Sequence, residues 1–280
     1  AIKSVSVYPE GALTLTKKGN TPHQWTEYQV QGNRWGRARL TISYRDGMTQ
    51  TIHYKVIKSE KEVVQDLGHF LTTKQWYEND KDLFGRSPSV ISYDYEEQQP
   101  ITQNKSAWFA GLSDEAGAAS WLAAMMKQVL QPDPQEIAKL KRFVNETLYG
   151  RIQHREGDKK YGVVKSLFYY EPDSMPAGTY RSDINWKTWA AWPKKEADDI
   201  GRSYNYPHVA AAHWVMYRPA RNYNNLVNEE TWDKYLERAY QTSIAMVEKA
   251  PYYAQFGQME GSIFLIVLND LRKEGLTTMA

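Results

Sequence analysis

The sequence predicts a mainly α protein: a partial toroid of helical hairpins preceded by a short β-rich segment, the end of an N-terminal β-sandwich. Three features predict it. Residues 1–58 alternate with the period of strands, the period becomes helical from Ser59, and the later helices alternate between apolar all round and plainly amphipathic. The expected organisation is a β-rich segment over 1–58, a linker helix and long loop over 59–110, and hairpins over 111–280.

Ser4–Tyr8, Ala12–Thr16, Tyr28–Gln31, Arg37–Tyr44 and Thr51–Val56 read as strands. Between the last two stands Arg45-Asp46-Gly47, and Asp-Gly is a strong hairpin signal because both residues tolerate the left-handed backbone of a tight turn. The linker helix carries Val63, Val64, Leu67, Phe70 and Leu71 on one face. Further helices are expected at about 115–130, 134–149, 205–222, 229–249 and 259–274. Asp133-Pro134-Gln135-Glu136 is a capping box with proline at the first helical position, and Asn228 is placed to cap Glu229 and Glu230.

The stretches around Trp121, Val209 to Met216 and Ile263 to Leu268 are apolar nearly all round, which demands cover on every side. Those around Leu140 and Leu236 are amphipathic and belong at a surface. Buried and surface helices in turn suggest hairpins with inner and outer members. Short connections follow the buried helices, and longer ones (78–114, 150–204, 250–258) lead into them. A helical repeat solenoid is the competing arrangement, but the hairpins lack self-similarity.

The chain has 280 residues, a net charge of +2 and no Cys, which removes disulfide and thiolate chemistry and gives no reason to expect nucleic acid or an anionic membrane as partner. No apolar run reaches the length of a membrane span. The 20 Tyr and 10 Trp outnumber the 7 Phe, a balance that suits either stacking on sugar rings or a large core with polar-tipped edges. No P-loop, dinucleotide, zinc or serine-nucleophile motif occurs, so no metal and no cofactor is expected. His208 and His213, five apart, do not share a helix face.

Polar groups gather where the apolar helices begin. Asp114 and Glu115 are candidate carboxylates there, or merely helix caps. Glu260, before the apolar run of the last helix, is the leading catalytic candidate, since a buried carboxylate with no basic neighbour in sequence would hold its proton; pairing with a distant Arg is the bland alternative. Asp199 is held in reserve. Tyr206, His208, Asn205, Arg202, Gln258 and Trp189 are the candidate substrate-binding residues, with Trp186, Trp189 and Trp192 read as a stacking platform or as loop anchors.

Gly111-Leu112-Ser113-Asp114-Glu115-Ala116-Gly117, Ser203-Tyr204-Asn205-Tyr206-Pro207-His208 and Gln255-Phe256-Gly257-Gln258-Met259-Glu260-Gly261, behind a β-rich start, resemble the six-hairpin glycosidase-like superfamily, in its DUF5695-type branch. That resemblance implies an N-terminal β-sandwich, an (α/α)6 barrel and inverting hydrolysis of a glycosidic bond by two carboxylates. The chain departs from it in holding about three inner helices, so further chain or a second copy would have to complete the ring. Three functions follow as expectations: a glycoside hydrolase acting on an oligo- or polysaccharide; a polysaccharide lyase using Asn205, Tyr206 and His208; or a non-catalytic glycan-binding protein. A β domain placed before the helices argues against the lyase. A carbohydrate substrate suggests a secreted or periplasmic protein.

Overall fold

The computed structural model describes residues 1–104 and 118–280. The chain divides into two compact units, Ala1–Gln65 and Asp66–Ala280.

The first unit is antiparallel β. β1 (Ile2–Tyr8), β4 (Gly36–Tyr44) and β5 (Thr49–Val56) form one sheet in the order β1-β4-β5, and β2 (Leu13–Asn20) pairs with β3 (Thr26–Gly32) in another. All five strands of the sequence reading are present. Gly47 takes the predicted turn with φ +90°, and the Met48 N–H donates to Asp46 Oδ1 at 3.0 Å. Ala12, Leu13 and Ala38 form a small core with Val7, Val30, Tyr54 and Val56 against it. Gly32 lies so close to Val56 that a Cβ there would stand 2.5 Å from Cγ1, which ties the β2–β3 hairpin to the larger sheet.

α1 (Glu60–Thr73) carries the chain into the second unit. Leu71 is buried, whereas Val63 and Val64 are exposed, so the predicted apolar face is covered only towards its C-terminal end. Two-stranded pieces follow: β6 (Trp76–Tyr77) with β7 (Ser89–Val90), and β8 (Tyr93–Asp94) with β9 (Gln99–Pro100). The helices are α2 (Ala118–Leu130), α3 (Pro134–Arg142, continued by a π turn Phe143–Leu148), the short α4 (Lys194–Ala197), α5 (Tyr206–Asn222), α6 (Trp232–Lys249), the short α7 (Pro251–Ala254) and α8 (Ser262–Lys273).

Asp133 caps α3 as expected, its Oδ1 accepting from the N–H groups of Gln135 and Glu136. Glu136 does not close the box. Its carboxylate is buried and takes Lys127 Nζ at 2.5 Å and Gln128 Nε2 at 2.7 Å. Gln128 Oε1 accepts the Asp133 N–H at 2.8 Å in its place. Asn228 caps nothing, because α6 starts three residues beyond the expected position, after Thr231.

The fold is mixed, with 37% helix, 19% strand and several antiparallel sheets, and no toroid forms among the described residues; the mainly α ring is therefore corrected. The physical reason lies in the three apolar helices, which are not equivalent. α5 alone is enclosed along its length, with α2, α6 and α8 packed around it. α2 leaves Met126 at 49% and Leu130 at 90% exposure, and α8 leaves Leu265 at 60%. One central helix with flanking helices accounts for the apolar pattern, and a ring awaiting completion by further chain or a second copy loses its basis.

The long connections also build structure. Phe84, Phe168 and Trp186 form a second core with Tyr169, Tyr170 and Tyr180 packed on it. Arg86 and Asp82, both buried, pair beside these rings at 2.6 Å, and the Arg86 guanidinium lies 5.0 Å from the Phe84 centroid. Much of the Tyr and Trp surplus is consumed here. Trp186 stacks on Tyr170 with centroids 4.9 Å apart, and Trp192 is buried as well, so the three tryptophans do not form an open platform.

Candidate functional site

The start of α5 and the segment leading into α8 meet at one place. Ser203–Asn205 form a single 3-10 turn that hands the chain directly to α5, with Pro207 in the first helical turn where its missing N–H costs nothing. His208 follows, enclosed by its own helix. Its Nδ1 lies 2.7 Å from Oε2 of Glu260, fifty-two positions away. An ionised carboxylate can only accept, so Nδ1 carries the proton shared with it. Nε2 is buried and has no hydrogen-bond partner among the described residues.

Glu260 differs from its expectation. It is not buried: 40% of its side chain is exposed, and a histidine is its partner. The carboxylate therefore has one oxygen held by His208 and another directed outward. Its backbone sits at φ +59°, a left-handed conformation that costs a non-glycine residue about 1–2 kcal/mol. Such strain persists where surrounding contacts impose it, and it is a reason to look for function. Two residues earlier, Gln258 Nε2 donates to Ser203 Oγ at 2.9 Å, so the loop before α8 is fastened to the 3-10 turn as well as to His208.

The other candidates separate. Asn205 is buried and its amide donates to the Val164 carbonyl at 3.1 Å, which makes it a fastener of the 163–165 segment. Tyr206 is fully buried, and its hydroxyl donates to the Ile200 carbonyl at 2.7 Å. Burial pushes that hydroxyl up to about 12, with the N–H of Val163 opposing and Asp199 adding to the shift. The Tyr206 hydroxyl is thereby committed, whereas Asn205 Oδ1 is buried without a hydrogen-bond partner among the described residues. Asp199 is turned to Lys165, with Oδ2 and Nζ 3.3 Å apart. Trp189 is 76% exposed, against Trp192 in the loop before α4. Arg202 lies over the Tyr204 ring at 5.3 Å. Asp114 and Glu115 lie outside the described residues.

The sequence reading missed Tyr204 and Tyr253. Their centroids are 5.6 Å apart, and Tyr253 continues to Tyr252 at 4.9 Å. The signal was there: an adjacent Tyr pair inside one of the long segments entering a buried helix.

A cavity of about 570 Å³ lies elsewhere, lined by Gln99–Asn104 together with Arg181, Ile184 and Asn185. Its carboxylate Asp94 accepts the N–H groups of Glu96 and Glu97, which is turn chemistry. The carboxylate–imidazole pair is the better candidate, because it couples an exposed carboxylate to a buried imidazole. Among the described residues no three His, Asp or Glu side chains converge as a metal site, and no helix is long and apolar enough to cross a membrane.

A family model described as a family of unknown function (DUF5695) matches residues 1–280. The chain belongs to that family. No curated protein matches it in sequence. A solved structure named as a polysaccharide lyase is similar with a TM-score of 0.59 at 16% identity, over 99% of this chain and 34% of that one. The DUF5695 chain thus spans about a third of that structure's length, and the likeness is one of fold.

Proposed function

We propose that this DUF5695 chain is part of a protein that cleaves a uronate-containing polysaccharide by β-elimination. The observation that carries the reading is the 2.7 Å contact between His208 and Glu260, a coupled acid–base pair at the head of a buried helix. Elimination needs a base for the proton beside the uronate carboxylate and an acid for the departing sugar oxygen. Glu260 reaches solvent and takes the proton. His208 holds the carboxylate in position by its Nδ1–H, and the carboxylate becomes neutral as it takes the proton. Tyr204, half-buried and four positions before His208 in the chain, is a hydroxyl of the right type to protonate the leaving oxygen.

The likeness to a structure named as a polysaccharide lyase supports this reading, since it extends over nearly the whole chain, β segment included. The β-before-helix order therefore does not count against elimination. Hydrolysis is less well supported. It needs a second carboxylate about 6.5–9.5 Å from the first for inversion, and Asp199 is committed to Lys165. A polymer substrate fits the secreted or periplasmic location expected from the sequence.

The test is product chemistry. Wild-type protein, incubated with polygalacturonate, alginate and hyaluronan, is expected to release an unsaturated uronate that absorbs in the near ultraviolet. Glu260→Gln should lower that rate by about 10²–10⁴-fold with the fold retained. Saturated reducing ends in place of the unsaturated product, or full activity in Glu260→Gln, would overturn the assignment.

A further inference from the structure

Beside the pair lies an apolar surface to which nothing above assigns a role. Tyr252 is 65% exposed and Phe256 64%. Tyr252 meets Phe256 edge-on with centroids 5.7 Å apart, and the contacts continue through Tyr253 to Tyr204. Four rings thus run in an unbroken series from the 3-10 turn outward. The same turn is fastened by Ser203 to Gln258, two residues from Glu260. The series therefore begins at Tyr204, in the turn that is fastened to the loop carrying Glu260, and leads outward.

Exposed rings of this size are unfavourable unless something covers them. The chemistry of the segment restricts what that is. From Ala250 to Met259 no side chain is charged. Three of the four rings are tyrosines, which present an apolar face together with a hydroxyl at the edge. A pyranose ring has the matching character, with C–H groups on its faces and hydroxyls around its rim.

We infer that Tyr253, Tyr252 and Phe256, continuing from Tyr204, form the subsite that seats successive sugar rings of the polysaccharide leading away from the site of Glu260. This inference rests on the function proposed above.

Binding of oligogalacturonates, alginate oligosaccharides and hyaluronan oligosaccharides is measured by calorimetry on wild type, Glu260→Gln, the double variant Tyr252→Ala/Phe256→Ala, and Phe256→Trp. The double variant alters exposed side chains, and circular dichroism checks that it folds. Its affinity is expected to fall about tenfold or more for the oligosaccharide that wild type binds. Phe256→Trp should retain or tighten binding, and Glu260→Gln should bind like wild type. Unchanged affinity in the double variant overturns the subsite, and if wild type still forms unsaturated product the elimination stands without it. Weakened binding with no product from wild type leaves the subsite and removes the lyase. A double variant that alters sedimentation of the protein alone, with sugar binding intact, assigns the rings to self-association and refutes the inference.

Discussion

His213 provides a test of the core that does not depend on any substrate. It is fully buried in α5, and its Nε2 lies 2.8 Å from Oε1 of Gln153. The Gln153 amide is committed in turn to Thr242 Oγ1 at 2.7 Å, so Gln153 accepts and His213 donates. Burial, and after it the charge of Arg238, pushes the imidazole down to about 3. An unfolded histidine titrates near 6.5. Between those values the unfolded chain binds a proton that the native one refuses, so this residue's contribution to stability falls as pH falls from 6.5 towards 3. The slope approaches about 1.4 kcal/mol per pH unit, or about 2 kcal/mol between pH 7.5 and 5.0. His213→Gln keeps a donor for Gln153 and removes the titration. Urea unfolding of both proteins at several pH values isolates the term, because every other group cancels in the difference. Wild type should lose about 2 kcal/mol more than the variant over that range. Parallel pH profiles would show that His213 is protonated in the native state or reached by water, and the account of its burial would be wrong.

Two substitutions probe the packing of the second unit. Gly68→Ala places a Cβ 2.3 Å from Oε2 of Glu136, a carboxylate already held by Lys127 and Gln128. Thermal melting should show a loss of about 1–3 kcal/mol, outweighing the ~1 kcal/mol that alanine adds to helix propensity. Asp82→Ala leaves Arg86 buried without its carboxylate. Burial would raise that carboxyl, but the hydrogen bonds and charge of Arg86 outweigh it and hold Asp82 below the usual range. A loss of about 3–5 kcal/mol is expected in urea titrations, and in wild type the pair's contribution persists above pH 4 and declines below it as Asp82 protonates.

Local patterns carried much of the architecture. Strand alternation, the Asp46-Gly47 turn and the Asp133-Pro134 helix start depend on neighbours within a few residues, so they are legible without the fold. The helices at 134–149 and 205–222 are legible for the same reason, since their apolar periods and breakers are local. What failed was the inference from composition to arrangement. An apolar α8 looked like an inner wall, but how many sides of a helix are covered is decided by the helices that pack on it, and α8 has fewer than α5. The Trp186–Trp192 cluster could be read as a sugar platform or as loop anchors, because a sequence cannot tell a ring facing Tyr170 from one facing water, and packing made anchors of Trp186 and Trp192.

At the candidate site the division is the same. Residue types and their concentration at helix starts singled out His208, Glu260 and Gln258 before any coordinates. Their meeting is a long-range event, and it was tertiary packing that brought residue 260 to residue 208, turned Asp199 towards Lys165 and sealed Tyr206 against the Ile200 carbonyl. The sequence by itself determined which side chains could do acid–base chemistry and where helices would present them. Only the folded chain decided which of them touch, because a 2.7 Å contact across fifty-two residues is set by the packing of whole helices and leaves no periodic trace in the chain.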